Sequence, residues 1–198
     1  LVLCDRDMHR SRLCSSDFFK VIIPNYVNFL SNKEIIIAIQ NIIRELSYCD
    51  SCKYPITQSG ILSKLTLTMK NVTFEDHQYI FRTAQIIYNL SLKGATICET
   101  LHKCEAEYAL ITALNQEDIT YEDAVLCIQA LTAFLPVRDV PSTFIQLDLV
   151  SAILHIQTLS PNDKTLHTAI FTLLSRLLRE GSVVSKLVTP ELCDYAVN

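Results

Sequence analysis

The sequence predicts an all-α protein assembled from a recurring helical unit, and three observations carry that reading. Only three glycines, Gly60, Gly94 and Gly181, are spread over 198 residues. An all-β sandwich or barrel needs many more turn residues, and a Rossmann or P-loop protein needs clustered glycines, so those classes are excluded. Second, four long stretches carry apolar residues at helical spacing. Third, those stretches return after about 43 residues, a period that marks an α-solenoid.

The long stretches are Glu34 to Tyr48, Asp76 to Leu92, Tyr121 to Leu135 and Lys164 to Arg179. In the second, Ile80, Ala84, Ile87 and Leu90 fall at steps of four, three and three, which builds one apolar helix face. Each stretch starts beside a capping residue: Ser31 and Asn32, Thr73 with Glu75 and Asp76, Thr120 with Asp123, and Asn162 with Asp163. Such side chains satisfy backbone N–H groups that the first turn leaves open. A shorter apolar helix is expected before each long one, at Val21 to Leu30, Ile61 to Met69, Tyr108 to Leu114 and Ile145 to Ile156.

The late leucines of the long stretches, Leu46, Leu90, Leu131 and Leu177, align at separations of 44, 41 and 46 residues. Gly94 and Gly181 each follow a long helix and lie 87 residues apart, or two periods. The units so defined run over about 1–50, 51–93, 94–136 and 137–182, with 183–198 as a partial unit or cap. Val137 to Ser142 reads as an inter-unit loop, too short for a domain linker, so one continuous domain is expected.

Three segments resemble the armadillo-repeat family. Val21-Ile22-Ile23-Pro24-Asn25-Tyr26-Val27-Asn28-Phe29-Leu30 is similar to its second-helix pattern, with a hydrophobic-Pro pair ahead of the helix. Ser59-Gly60-Ile61-Leu62-Ser63-Lys64-Leu65 resembles the glycine turn and second helix of the next unit. Ala84-Gln85-Ile86-Ile87-Tyr88-Asn89-Leu90-Ser91 is similar to the third-helix ending. The likeness is clearest over Phe18 to Gly94; beyond it the units match by period and apolar spacing, with HEAT-like geometry as the alternative. It implies a right-handed α-solenoid of about four armadillo-like repeats that binds a protein segment along a concave groove lined by third helices.

Composition narrows the function further. Seventeen Lys plus Arg against 21 Asp plus Glu give a net charge of −4, which disfavours non-specific nucleic-acid binding. No apolar run approaches the ~18 residues of a membrane span. Arg6, Asp7, His9, Arg10 and Arg12 interrupt any apolar region at the start, so a signal peptide is not expected. The eight scattered cysteines are read as reduced packing residues of an intracellular, cytoplasmic or nuclear protein. Two sequons, at Asn71 and Asn89, are the contrary sign, and the second falls inside a helical stretch.

Catalytic and metal chemistry find little support. Cys49-Asp50-Ser51-Cys52 is the sole CxxC, whereas a tetrahedral zinc site needs four ligands. Cys98, His102 and Cys104 are close in sequence but lack an evident fourth ligand. The carboxylate pairs Glu75-Asp76, Glu117-Asp118 and Glu122-Asp123 stand at helix starts, where they offset the helix dipole. No GxSxG or HExxH occurs. A non-enzymatic scaffold or adaptor without a cofactor is therefore expected.

The candidate binding surface follows from the resemblance and the helical stripe together. In armadillo proteins an asparagine near each third-helix end holds the backbone of an extended peptide, and the resemblance places Asn89 there. Its equivalents by the leucine alignment are Glu45, Ala130 and Arg176, so the asparagine ladder is broken. Arg82, Gln85 and Asn89 form one polar stripe, joined from neighbouring units by Asn41, Glu45, Gln129 and Arg176. Tyr88 adds an aromatic anchor. The expected ligand is an extended or helical protein segment; the alternative is a structural module that self-associates.

Overall fold

The computed structural model describes residues 7–15, 17–71, 77–159, 161–181 and 183–197. These residues form an all-helical protein with no strand among them. The helices are α1 (Asp7–Ser15), α2 (Phe18–Asn28), α3 (Lys33–Ser47), α4 (Asp50–Gln58), α5 (Ile61–Asn71), α6 (His77–Ser91) and α7 (Ala95–Lys103). They continue with α8 (Ala106–Leu114), α9 (Tyr121–Phe134), α10 (Val140–Gln146), α11 (Leu149–Leu159), α12 (Lys164–Leu177), α13 (Val184–Leu187) and α14 (Pro190–Val197).

Packing repeats every third helix. The long helices form a row in which α3 packs on α6, α6 on α9 and α9 on α12. A second row runs α2, α5, α8, α11 and α14, each against the next. The short helices α1, α4 and α7 line up in the same manner. The four aligned leucines, Leu46, Leu90, Leu131 and Leu177, have no exposed surface. Burying each contributes about 1.5–3 kcal/mol. They lie in one continuous hydrophobic cluster that reaches from Cys14 and Tyr26 to Leu192 and Tyr195.

Local sequence explains the helix ends. The Asn32 side chain accepts from Ile35 N–H at the start of α3, and Asp163 does the same for Leu166 N–H at α12. Thr120 accepts from Asp123 N–H while its own hydroxyl donates to the Asp123 carboxylate, which closes a reciprocal cap on α9. The cap expected at Thr73, Glu75 and Asp76 lies outside the described residues. At α12 the cap is Asp163 rather than Asn162, since Asp163 immediately precedes the helix.

Backbone handedness marks the same period. Gly60 (φ 82°), Glu105 (φ 57°) and Asp148 (φ 55°) stand directly before α5, α8 and α11, spaced 45 and 43 residues apart. Gly94 (φ 114°) and Asp139 (φ 68°) stand directly before α7 and α10, 45 residues apart. A sharp change of direction between helices recurs at fixed register, and two units make it without glycine. L-residues take this conformation at a cost of about 1–2 kcal/mol. Gly181 is not in the left-handed region, so it does not repeat the role of Gly94.

Three expected boundaries shift. The helix read as Ile145 to Ile156 is two helices, because the left-handed turn at Asp148 ends α10 and opens α11. The loop expected over Val137 to Ser142 is helical from Val140, with Pro141 in the first turn, where its missing N–H costs nothing. Pro24 lies inside α2 rather than ahead of it, because the helix already begins at Phe18.

Candidate functional site

Side chains between the long helices fall into two groups, those that tie the row together and those that face outward. Gln40 of α3 is fully buried and donates from Nε2 to Thr83 Oγ1 (2.9 Å) and to the Tyr79 carbonyl (3.1 Å). The Tyr79 hydroxyl donates to the Leu65 carbonyl at 3.1 Å and is hydrogen-bonded to Tyr26. Burial first, and the neighbouring Tyr26 second, push the Tyr79 phenol far above its ordinary value. These buried partners fix the register of α6 against α3 and α5.

Several of the expected site residues belong to the ties. Asn89 is buried, and its Nδ2 donates to Ser47 Oγ of α3 at 2.9 Å. Glu45, at the same register one unit earlier, accepts from Arg10 (3.4 Å) and Arg44 (3.2 Å). Ala130, one unit later, is fully buried. At this register Asn89 thus meets α3, Glu45 meets α1 and its own helix, and Ala130 lies in the core. Only Arg176, at the far end, is exposed. A glycan at Asn89 has no room.

Gln85 donates from Nε2 to Asp123 Oδ1 of α9 at 3.4 Å, a weak link between α6 and α9. Arg82 donates from Nη2 to Gln78 Oε1 at 2.8 Å along its own helix. Asn41 and Tyr88 are half-buried, and Tyr88 packs against the core. Gln129 is exposed.

Around Gln129 the structure opens a groove that sequence reading did not assemble. It has a volume of about 470 Å³ between α9 and α12 and is lined by Gln129, Thr132, Lys164, Thr165, Thr168, Ala169 and Thr172. No carboxylate is in this lining. Thr132, Thr168 and Thr172 each donate their hydroxyl proton to the carbonyl four residues back, at 2.7 Å. Their oxygens thus keep only lone pairs toward the groove, while Gln129 and Lys164 supply donors. Arg176 continues the Thr165, Thr168 and Thr172 stripe one turn on. Of the eight expected residues, Gln129 alone lines this groove. The available signal was the threonine spacing of α12, on the helix face opposite its buried leucines.

The cysteine groupings resolve into packing. Cys49 and Cys52 are both buried, at the cap and within α4, and burial raises the Cys52 thiol far above its usual range. Cys98 is buried near the Ser91 carbonyl, and Cys104 accepts from Ser63 Oγ at 3.2 Å. His102 instead meets Glu107 at 2.7 Å. Among the described residues, no group of three or more His, Cys, Asp and Glu is placed to hold a metal ion. Among them, too, no helix is long and apolar enough to cross a membrane.

The architecture defines an all-helical protein whose packing repeats every three helices. Comparison with family models, curated proteins and solved structures found no match to this chain.

Proposed function

We propose that this chain is a right-handed, armadillo-like α-solenoid, one domain of about four units, that acts as a non-enzymatic protein-interaction scaffold or adaptor. The observation that carries the reading is the groove between α9 and α12, built on the row of long helices. Its threonine acceptors and the Gln129 and Lys164 donors suit the N–H and C=O groups of an extended segment. The periodic left-handed turns support the solenoid part of the proposal, because stacked units of one geometry present an extended rigid surface.

The test places a photo-crosslinking residue at Gln129 and, as a control, at exposed Ser151 of α11, then exposes both proteins to native lysate. The reading expects a partner crosslinked from position 129 and not from 151, and its loss when Thr168→Arg is added. Equal crosslinking from both positions, or no effect of Thr168→Arg, moves the interaction off this groove.

A second reading, self-association, is favoured by a separate apolar cleft of about 300 Å³ at the C-terminal end. Phe171, Leu174, Leu178, Leu187, Val188 and Leu192 line it, and Phe171, Leu178 and Val188 are exposed. Sedimentation across a concentration series tests it, since Val188→Asp would then shift the chain toward monomer; a wild-type monomer at all concentrations rejects it.

A further inference from the structure

A carboxylate stands where the fold itself asks for an apolar side chain. The residue two positions after the left-handed turn is Leu62 in one helix triplet, buried in the hydrophobic cluster, and Val150 in another, half-buried against it. At the same register the third turn, Glu105, is followed by Glu107, whose residue surface is fully buried. Burying a carboxylate costs several kcal/mol unless it is paired and hydrogen-bonded. Its compensation is incomplete: Oε1 accepts from His102 Nδ1 at 2.7 Å, and Oε2 has no hydrogen-bond partner. Glu107 also stands in the first turn of α8, where its charge faces the positive end of the helix, so the part left without compensation is Oε2.

Glu107 forms part of the lining of a pocket of about 390 Å³ between the α7–α8 turn and the end of α10. The other lining residues are His102, Glu105, Tyr108, Thr143, Gln146 and Leu147. No Lys or Arg is among them. Thr143 donates its hydroxyl proton to the Asp139 carbonyl at 3.2 Å, which leaves lone pairs on its oxygen. The last turns of α7 and α10 also end here, and helix C-termini carry partial negative charge. The pocket is thus rich in acceptors, carries two carboxylates, and has a histidine in its lining.

We infer that this pocket is a binding site for a guanidinium group, supplied by an arginine side chain of a partner protein. Guanidinium is the cation suited to a buried carboxylate, because it is weakly hydrated and directs several N–H donors in one plane. Glu107 Oε2 supplies the missing acceptor contact; it is closed to solvent, so the guanidinium reaches it by displacing the partly exposed His102 ring, with Thr143 as a further acceptor. The arginine is a side chain rather than the free amino acid, whose α-carboxylate would bring a further negative charge to a pocket rimmed by exposed Glu105. The site is separate from the α9–α12 groove and stands or falls independently of it.

The test titrates the folded chain with N-acetyl-arginine-methylamide and follows the His102 imidazole resonances by NMR. Saturable binding with Kd near or below about 1 mM is expected. The neutral citrulline analogue, of the same shape, and free arginine should each bind at least tenfold more weakly. Glu107→Gln should weaken the arginine probe at least tenfold. Glu107→Leu, which restores the apolar register, should abolish binding and melt above wild type. Binding unchanged in Glu107→Gln, a citrulline analogue that binds as well, or no saturation with the arginine probe would each overturn the site. A Glu107→Leu chain that melts well below wild type would make the carboxylate structural, and free arginine binding tighter than the capped probe would overturn the side-chain source.

Discussion

Asn89 Nδ2 donates to Ser47 Oγ at 2.9 Å, and the Ser47 hydroxyl donates in turn to the Arg44 carbonyl at 2.7 Å. The relay joins the ends of α3 and α6 and uses up the side chain that sequence reasoning assigns to a ligand. Asn89→Ala should therefore cost about 1–2 kcal/mol of stability, as loss of a buried hydrogen bond does. Ser47→Ala should cost a similar amount, and the double variant less than the sum, with a coupling of at least about 0.5 kcal/mol. Urea unfolding of the four proteins measures this. Additive losses would mean that the two side chains do not hold one another.

The left-handed turns give a second prediction with an internal control. A Cβ added at Gly60, Gly94 or Gly181 meets nothing within 4 Å, so only backbone conformation decides the outcome. Gly60 at φ 82° and Gly94 at φ 114° sit where L-residues are strained, whereas Gly181 does not. Gly60→Ala and Gly94→Ala should each destabilise by about 1–3 kcal/mol, and Gly181→Ala should be close to neutral. The reverse change, Asp139→Gly, relieves φ 68° in an exposed residue and should stabilise by about 0.5–1 kcal/mol. Thermal melts of the four variants report the order.

The helices were legible because their signals are local. Leucines at helical spacing, and caps such as Asn32 and Thr120, need only a few neighbours in sequence to act. The period was legible for the same reason, since Leu46, Leu90, Leu131 and Leu177 all end buried. Side-chain direction at one register was not. Asn89 and Arg176 align in sequence, yet one is buried against α3 and the other is exposed, although α12 packs on α9 as α6 packs on α3. The α9–α12 groove and the Glu107 pocket were missed since each is made from elements more than 30 residues apart. The left-handed turns were half legible: Gly60 announces one, Asp148 is a type that takes the conformation more readily than most without requiring it, and Glu105 is a type that rarely does.

Asp50 supplies an acid-range prediction. It bridges Lys53 (2.9 Å) on its own helix and Lys93 (3.2 Å) in the turn after α6. The hydrogen bonds from Lys53 and then Lys93 hold its carboxyl below the ordinary 3.8. A folded pKa below the unfolded one means that the unfolded chain takes up a proton first as pH falls. The contribution of Asp50 is present above the ordinary value and is lost as pH drops through the depressed one. Wild type should thus lose more stability than Asp50→Asn on acidification from pH 5 toward 3, and the difference should shrink in high salt because the carboxylate is exposed. Parallel unfolding curves across that range would remove Asp50 from the acid response.

At the alkaline end the buried thiols set the sign. Burial first, and the nearby Glu107 charge second, push the Cys98 thiol up to about 11 from 9.0. Burial likewise raises Cys127, with Asp123 adding to the effect. An acid whose folded pKa is raised keeps its proton longer in the folded state, so between pH 9 and 11 the unfolded chain is the one that deprotonates. Stability should fall as pH rises through that window, and Cys127→Ala, which removes the buried thiol, should flatten the fall. The same burial governs reactivity, because the thiolate is the nucleophile. With a maleimide or disulfide reagent at pH 8, exposed Cys193 should react at once, whereas Cys98 and Cys127 should react only through opening of the fold. Labelling at Cys127 should then accelerate in Gly60→Ala and Gly94→Ala in proportion to their lost stability, provided that reclosing outpaces labelling. A Cys127 rate indifferent to both variants would show that the thiol is reached without unfolding, contrary to its place on the buried face of α9.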